Sequence, residues 1–166
     1  VGRNATSTTF YTNAIGANTD ATSSYSTALG QNSSSNGSQA VTGLGAMALG
    51  GSYASGTDSF AAAIANNTSS YGATGANSVA IGDRAKATGS RAFATGYASI
   101  ASGNGAKAFG GFGSGTGTLA SKEGSTAIGD GAKSEVSYKV AISTRSFSAQ
   151  GDAQTGITTL RAQTTN

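Results

Sequence analysis

The sequence has no cysteine, histidine, proline or tryptophan, and only 10% of its 166 residues are charged. Without cysteine there is no disulfide framework and no thiolate nucleophile. Without histidine, the commonest general base and metal ligand near neutral pH is gone. Most catalytic devices are thereby removed, so the chain is not expected to be an enzyme, and no metal or organic cofactor is expected. A cysteine-free chain suits an oxidising exterior, although many cytosolic proteins lack disulfides too. No stretch reaches the ~18 consecutive apolar residues that a membrane-spanning helix requires, so direct membrane insertion is not expected. The start at Val1 shows neither an initiator methionine nor a signal peptide, and the chain reads as an excised or processed piece. The formal net charge is +3, and the basic residues between positions 84 and 145 stand singly among Asp83, Glu123, Asp130 and Glu135. That spacing provides no dense phosphate-binding patch, and no nucleic-acid partner is expected.

What is abundant is glycine, 26 residues of it, together with Ala, Ser, Thr and Asn. Such a composition also describes disordered linkers, which bury too little apolar surface to offset their chain entropy. Periodicity argues against a linker. Glycine falls at 82, 89, 96, 103 and 110, every seventh residue, and two sevens make a unit of 14. The unit shows in Ser78-Val79-Ala80-Ile81-Gly82, in Arg91-Ala92-Phe93-Ala94-Thr95-Gly96 and in Ala106-Lys107-Ala108-Phe109-Gly110. Looser copies extend upstream to Asn13-Ala14-Ile15-Gly16 and downstream to Val140-Ala141-Ile142-Ser143, at spacings that drift from 14 to about 20.

Alternation over four to six residues closed by glycine is a strand signal, and the units are too short for helices. The expected fold is all-β: a parallel β-roll, or solenoid, in which each 14-residue coil contributes two short strands and two turns. Coils stacked at a strand spacing of about 4.8 Å would build an elongated rod. The roll is expected over residues 1–143, with a loop insertion at about 110–124, and residues 144–166 as an exit segment whose last strand leads into a following domain.

Side chains on a strand alternate between faces, so parity sorts each unit. One parity is uniformly small, as in Ala80, Ala85, Ala87, Ala92 and Ala94 together with the seventh-residue glycines Gly82, Gly89, Gly96, Gly103 and Gly110, and is expected inside a thin roll. The other parity is mostly polar in one half-unit (Lys86, Thr88, Ile100, Ser102) and apolar in the other. The apolar set comprises Ile15, Leu29, Leu49, Ile64, Val79, Ile81, Phe93, Phe109, Ile128, Val140 and Ile142. These point outward in a continuous strip, more than a soluble monomer usually exposes, and are the expected interface of a homo-oligomer. Lys107 and Thr95 interrupt the strip, with Lys107 expected to snorkel toward its edge. Parity alone does not choose between dimer and trimer.

The run Asn77-Ser78-Val79-Ala80-Ile81-Gly82, then Ala85-Lys86-Ala87-Thr88-Gly89, Ser90-Arg91-Ala92-Phe93-Ala94-Thr95-Gly96 and Gly105-Ala106-Lys107-Ala108-Phe109-Gly110, resembles the head repeats of YadA-like trimeric autotransporter adhesins. The resemblance implies a left-handed parallel β-roll that is homotrimeric about a fibre axis. It also implies an extracellular, non-enzymatic, structural and adhesive role. The chain lacks the neck, heptad stalk and membrane anchor of those adhesins. Its ending, Ser146-Phe147-Ser148-Ala149-Gln150-Gly151-Asp152-Ala153-Gln154, resembles segments of phage tail-fibre and other virion appendage proteins. A virion appendage is therefore the leading expectation and a bacterial surface adhesin the alternative. Expected partners are other copies of the chain, further fibre or virion proteins, and a host-surface glycan or protein receptor.

Chemical alternatives find little support. The Gly-rich run at 110–117 has no following Gly-Lys-Ser/Thr and no Asp, which removes both a phosphate cradle and calcium coordination. The seven acids are scattered, so a depolymerase lacks its facing carboxylates; Asp83 and Asp130 read as turn residues on different coils. An ice-binding solenoid would need ranked threonines, which the linear sequence does not display. Asn-x-Ser/Thr at Asn4, Asn32 and Asn67 reads as a compositional accident.

Overall fold

Alanine alternating with larger residues yields two kinds of very short strand, of two and of three residues, that take turns along the chain. In this computed structural model the described residues are 1–30, 39–40, 43–62, 70–111, 117–147 and 153–158. Two-residue strands from Thr6–Ser7 to Lys133–Ser134 form a nine-stranded parallel sheet, here called the short-strand sheet. Three-residue strands from Asn13–Ile15 onward, closed by Val140–Phe147, form the long-strand sheet, to which Ala153–Thr158 adds a tenth strand. Each sheet takes every second strand of the chain, so the polypeptide winds as nine coils. At about 4.8 Å per coil the roll is about 43 Å long.

Register is strict. Ala80 pairs with Ala94, Ala94 with Ala108 and Ala108 with Ala127, so the inward column of the long-strand sheet is a file of alanines. The short-strand sheet repeats the pattern with Ala73, Ala87, Ala101 and Ala120. Among the described residues the buried hydrophobic core consists of alanine alone, 19 residues, 18 of them with at most 1% of their surface exposed. Between the files, at the corners, stand buried Ser and Thr. Thr118 Oγ1 donates to the Gly129 carbonyl at 2.7 Å and Ser125 Oγ to the Lys122 carbonyl at 2.7 Å, so these buried hydroxyls are satisfied by turn carbonyls that also accept a backbone amide.

Two glycines illustrate what sets the corners. A Cβ on Gly89 would lie 2.0 Å from the Gly103 carbonyl oxygen of the next coil, so only glycine lets the backbones approach there. Gly96, at the other corner, holds φ +102°, outside the range of ordinary side chains. The expectation that every seventh glycine points inward needs correction: Gly89 and Gly103 are buried, whereas Gly82, Gly96 and Gly110 sit half-exposed on the opposite corner. A further seven-residue rule emerges two positions later. Asn77, Arg84, Arg91 and Ala98 all take φ between 52° and 57° and Gly105 takes 64°, one left-handed residue per turn.

Coil length follows from the register. The interval is 14 residues from Thr6 to Asp20 but 19 from Asp20 to Gln39 and from Ile100 to Leu119, and likewise 19 from Ala54 to Ala73. All three longer intervals fall where a long strand passes to the next short one, so five extra residues enter three times at the same corner. The insertion read at 110–124 is shorter than its expected bounds. Phe109 still pairs with Ile128, and Leu119–Ala120 is already a strand of the roll; residues 112–116 lie outside the described residues. The strand Val140–Phe147 runs past the expected boundary at 143, and Ala153–Thr158 turns back antiparallel onto it, Ser143 pairing with Ile157.

Candidate functional site

The outer surface of the long-strand sheet carries two files of side chains, one from the first and one from the third residue of each strand. The third-residue file reads Ile15, Leu29, Leu49, Ala62, Ile81, Thr95, Phe109, Ile128 and Ile142, each paired in register with the next. The first-residue file is mixed, with Val79, Phe93 and Val140 alongside Thr27, Met47, Phe60, Lys107 and Thr126. Ten of the eleven residues singled out in the sequence therefore lie on this one face, all directed away from the alanine interior. The eleventh, Ile64, lies outside the described residues, and the position expected for it is held by Ala62. The Ala61 side chain is buried, which fixes the strand at Phe60–Ala62, two residues earlier than the sequence repeat suggested. Met47 and Phe60 belong to the face and were missed, because their first-residue file alternates with polar residues and shows no clean pattern.

Exposure on this face is high for aliphatic side chains: Ile15 49%, Leu29 44%, Ile128 40% and Val140 51%. Phe93 and Phe109 stack diagonally across the two files with ring centroids 5.4 Å apart. Lys107 does leave the apolar strip, its Nζ donating to the Gly105 carbonyl at 3.2 Å, toward the corner of the roll. Thr95 remains in the third-residue file between Ile81 and Phe109. The face thus combines a nearly continuous apolar file with a rim of mixed polarity.

The outer surface of the short-strand sheet is different. Lys86, Ile100, Leu119 and Lys133 succeed one another in register, with no single chemistry repeating. The residue two further on is more regular than the sequence suggested. The amides of Thr74, Thr88, Ser102 and Ser121 donate to the next coil at 3.0, 3.0, 2.9 and 3.1 Å, so these hydroxyl residues do form a rank. Thr74, Thr88 and Ser102 keep the 14-residue spacing, and Ser121 joins the rank once the five-residue insertion before it is removed from the count. At the corners, Arg84 Nη1 donates to the Tyr97 hydroxyl at 2.9 Å with its guanidinium 5.6 Å from the Tyr97 ring centroid. Asn4 Nδ2 donates to Asn18 Oδ1 at 3.0 Å between successive coils.

The two repeat-corner acids stand apart. Asp83 and Asp130 occupy equivalent turns three coils apart, about 14 Å along the roll. Among the described residues no group of three or more His, Cys, Asp or Glu side chains could hold a metal ion. Tyr138, at the C-terminal end of the roll, titrates away from the ordinary tyrosine value. Its hydrogen bond to the Glu123 carboxylate, with a smaller contribution from burial, raises its pKa above the ordinary tyrosine value.

Comparison with known proteins bears directly on this architecture. The sequence matches the family described as YadA head domain repeat (2 copies) at residues 14–33, 21–41, 73–99, 94–114 and 113–132, together more than half of the chain. No curated protein matches it.

Proposed function

As the chain belongs to the family of YadA head domain repeats, we propose that it is a non-enzymatic, adhesive and load-bearing segment of an extracellular fibre, assembled as a homotrimer about the fibre axis. The observation that carries this reading is the third-residue file of the long-strand sheet. An interior made of alanine supplies little hydrophobic stabilisation, while Ile15, Leu29 and Ile128 leave between two-fifths and half of their surface in water. Full burial of such a side chain contributes about 1.5–3 kcal/mol, so covering the exposed part adds about 1 kcal/mol per residue, repeated along the roll. In this arrangement the outward faces of three long-strand sheets meet at the axis. The interface comprises Ile15, Leu29, Leu49, Val79, Ile81, Phe93, Phe109, Ile128, Val140 and Ile142, to which the geometry adds Met47 and Phe60. The left-handed winding implied by the family resemblance belongs to the same proposal, as does the role of residues 144–166 as the exit toward a following domain.

Two origins fit such a fibre. The likeness of residues 146–154 to virion appendage segments favours a phage or virion fibre, in contact with other virion proteins; the family match favours a bacterial surface adhesin. An ice-binding role is disfavoured by Lys86, Ile100 and Leu119, which stand beside the hydroxyl rank and roughen the face. A depolymerase has no converging acid pair to support it. Light scattering combined with small-angle X-ray scattering tests the assembly: an elongated particle of three times the 16.0 kDa chain mass is expected. A compact monomer would remove the reading.

A further inference from the structure

The corner that links each short strand to the following long strand carries a cluster that the self-association face does not explain. Phe10 is 78% exposed, Tyr11 76%, Tyr25 64% and Leu44 54%. They belong to three successive coils whose turns are joined by backbone hydrogen bonds, Tyr25 N to Phe10 O at 3.0 Å and Gly45 N to Ser24 O at 3.1 Å. The Tyr11 and Tyr25 rings stack at 5.2 Å with an interplanar angle of 14°, a double aromatic ledge on the edge of the roll.

Folding does not call for tyrosine there. Tyr11 and Tyr25 hold φ 57° and 62°, the left-handed position that this fold fills elsewhere on the same corner with Gly45, Asp58, Asn77, Arg91, Gly105, Gly124 and, at the C-terminal end, Tyr138. Glycine, asparagine and aspartate adopt it with least strain, so a tyrosine there gains nothing for the backbone and stabilises the fold only where its ring is covered. Both rings instead remain mostly in water, so their value lies outside the fold.

The surroundings specify the chemistry of what would cover them. Residues 1–57 contain only two charged side chains, Arg3 and Asp20, and neither belongs to these turns; the nearest charge on the corner is the exposed Asp58 carboxylate of the following coil, which lies against Gly45 beside Leu44. Thr9 and Ser24 put hydroxyls on the same turns as the rings, and Thr8 immediately precedes the first of them. Rings carrying phenolic hydroxyls, rimmed by neutral hydroxyls and with a carboxylate only at the far edge, complement a molecule with apolar C–H faces and hydroxyl edges. A second copy of the chain is better accommodated by the aliphatic file of the long-strand sheet, and an anionic polymer would meet no cation on these turns. We infer that the corner formed by Phe10, Tyr11, Tyr25 and Leu44 is a docking site for a neutral glycan of hexose or N-acetylhexosamine units. The inference names a partner for the adhesive reading and rests on it, but it uses a different part of the roll from the self-association face.

The test uses the assembled protein on an array of immobilised neutral hexose and N-acetylhexosamine oligosaccharides, with sialylated and sulfated oligosaccharides and an apolar peptide as further probes. The variant is Tyr11→Asn combined with Tyr25→Asn, because asparagine is at home in this conformation, as Asn77 shows at φ 55°. The wild type is expected to retain a neutral oligosaccharide, and the variant to lose at least tenfold in affinity with unchanged particle mass and melting temperature. Phe10→Ser supplies an independent variant with the same expected loss. Retention of charged sugars only, capture of the peptide only, absence of any retention, or equal binding by wild type and variants each overturns the proposal. A fall in particle mass for the tyrosine variant also overturns it, by placing the corner in the subunit contact. If the wild type adheres to cells as a trimer yet retains no neutral sugar, the glycan site falls and the adhesive reading stands. A monomeric particle removes the adhesive fibre independently of the array.

Discussion

Replacing Gly89 with alanine tests whether coil spacing is set by backbone contact at one corner. The added Cβ would lie 2.0 Å from the Gly103 carbonyl oxygen and 2.5 Å from its carbon, where real Cβ atoms do not come within 3.0 Å. The obstacle is backbone, so no side chain can swing aside, and relief requires the two coils to separate locally by about an ångström. That separation stretches the hydrogen bonds from the Thr88 and Gly89 amides to the Ala101 carbonyl, now 3.0 and 3.4 Å. Overpacking costs about 1–3 kcal/mol where neighbours can adjust, and each weakened hydrogen bond about 1 kcal/mol more. A loss of about 3–5 kcal/mol follows, which for a chain of this size lowers the melting temperature by about 10 °C. The control is Gly105→Asn. Gly105 has φ +64° but open space around its missing Cβ, and Asn77 and Arg91 occupy the same position in neighbouring coils, so the change should be nearly neutral. Circular-dichroism melts at equal protein concentration read both. Equal melting temperatures for Gly89→Ala and the parent, or an equal loss in Gly105→Asn, would refute the argument that corner contact sets the rise.

Ala94→Leu places three further carbons in an interior one methyl deep, between Ala80 and Ala108, and should cost about 2–4 kcal/mol in urea titrations; an unchanged midpoint would mean that the roll can swell. Ile81→Asp together with Ile128→Asp should yield monomers by light scattering while the strand signal in far-ultraviolet circular dichroism persists, and a particle of unaltered mass would move the interface off the long-strand sheet. Arg84→Ala removes an exposed cation–π contact and one hydrogen bond to Tyr97 and should cost no more than about 1 kcal/mol, read as a small shift in urea midpoint. In alkaline absorbance titration, the difference between the parent and Tyr138→Phe should place Tyr138 ionisation above the ordinary tyrosine range. Because the folded pKa is the raised one, any stabilisation from the Glu123 bond is complete below the ordinary tyrosine pKa and is lost as pH rises through the folded value.

Much of the architecture could be read from linear sequence because glycine and alanine recur where sterics leave no choice. Ala80, Ala94 and Ala108 fall 14 residues apart, and each is walled in by the facing sheet, so any larger residue would have broken the pattern. The outward direction of Ile81, Phe109 and Ile128 followed from the same parity. What escaped the sequence is what sterics leave free. The five-residue insertions shift the count without disturbing any buried file, which hid the continuation of the hydroxyl rank from Ser102 to Ser121 and displaced the expected strand from Phe60–Ala62 to Ile64. The turn residues also gave no warning: a left-handed position can hold Asn77, Arg91, Gly105 or Tyr25, and only their shared backbone angle reveals that they are equivalent.

That freedom shows where selection beyond folding is visible. A solenoid position confined by the interior must be small in every coil, and a position on the outer surface can vary from coil to coil without cost to the roll. The short-strand sheet uses this latitude fully, passing from Asp20 to Tyr53, Lys86, Ile100 and Lys133 at equivalent places. The third-residue file of the long-strand sheet has the same geometric freedom yet stays Ile, Leu, Leu, Ala, Ile, Thr, Phe, Ile, Ile through nine coils. Nothing within one chain restricts it, since its members stand partly in water. On the proposed assembly the restriction comes from a surface that repeats with the same rise and covers every coil, a condition that another roll of identical pitch meets along its length.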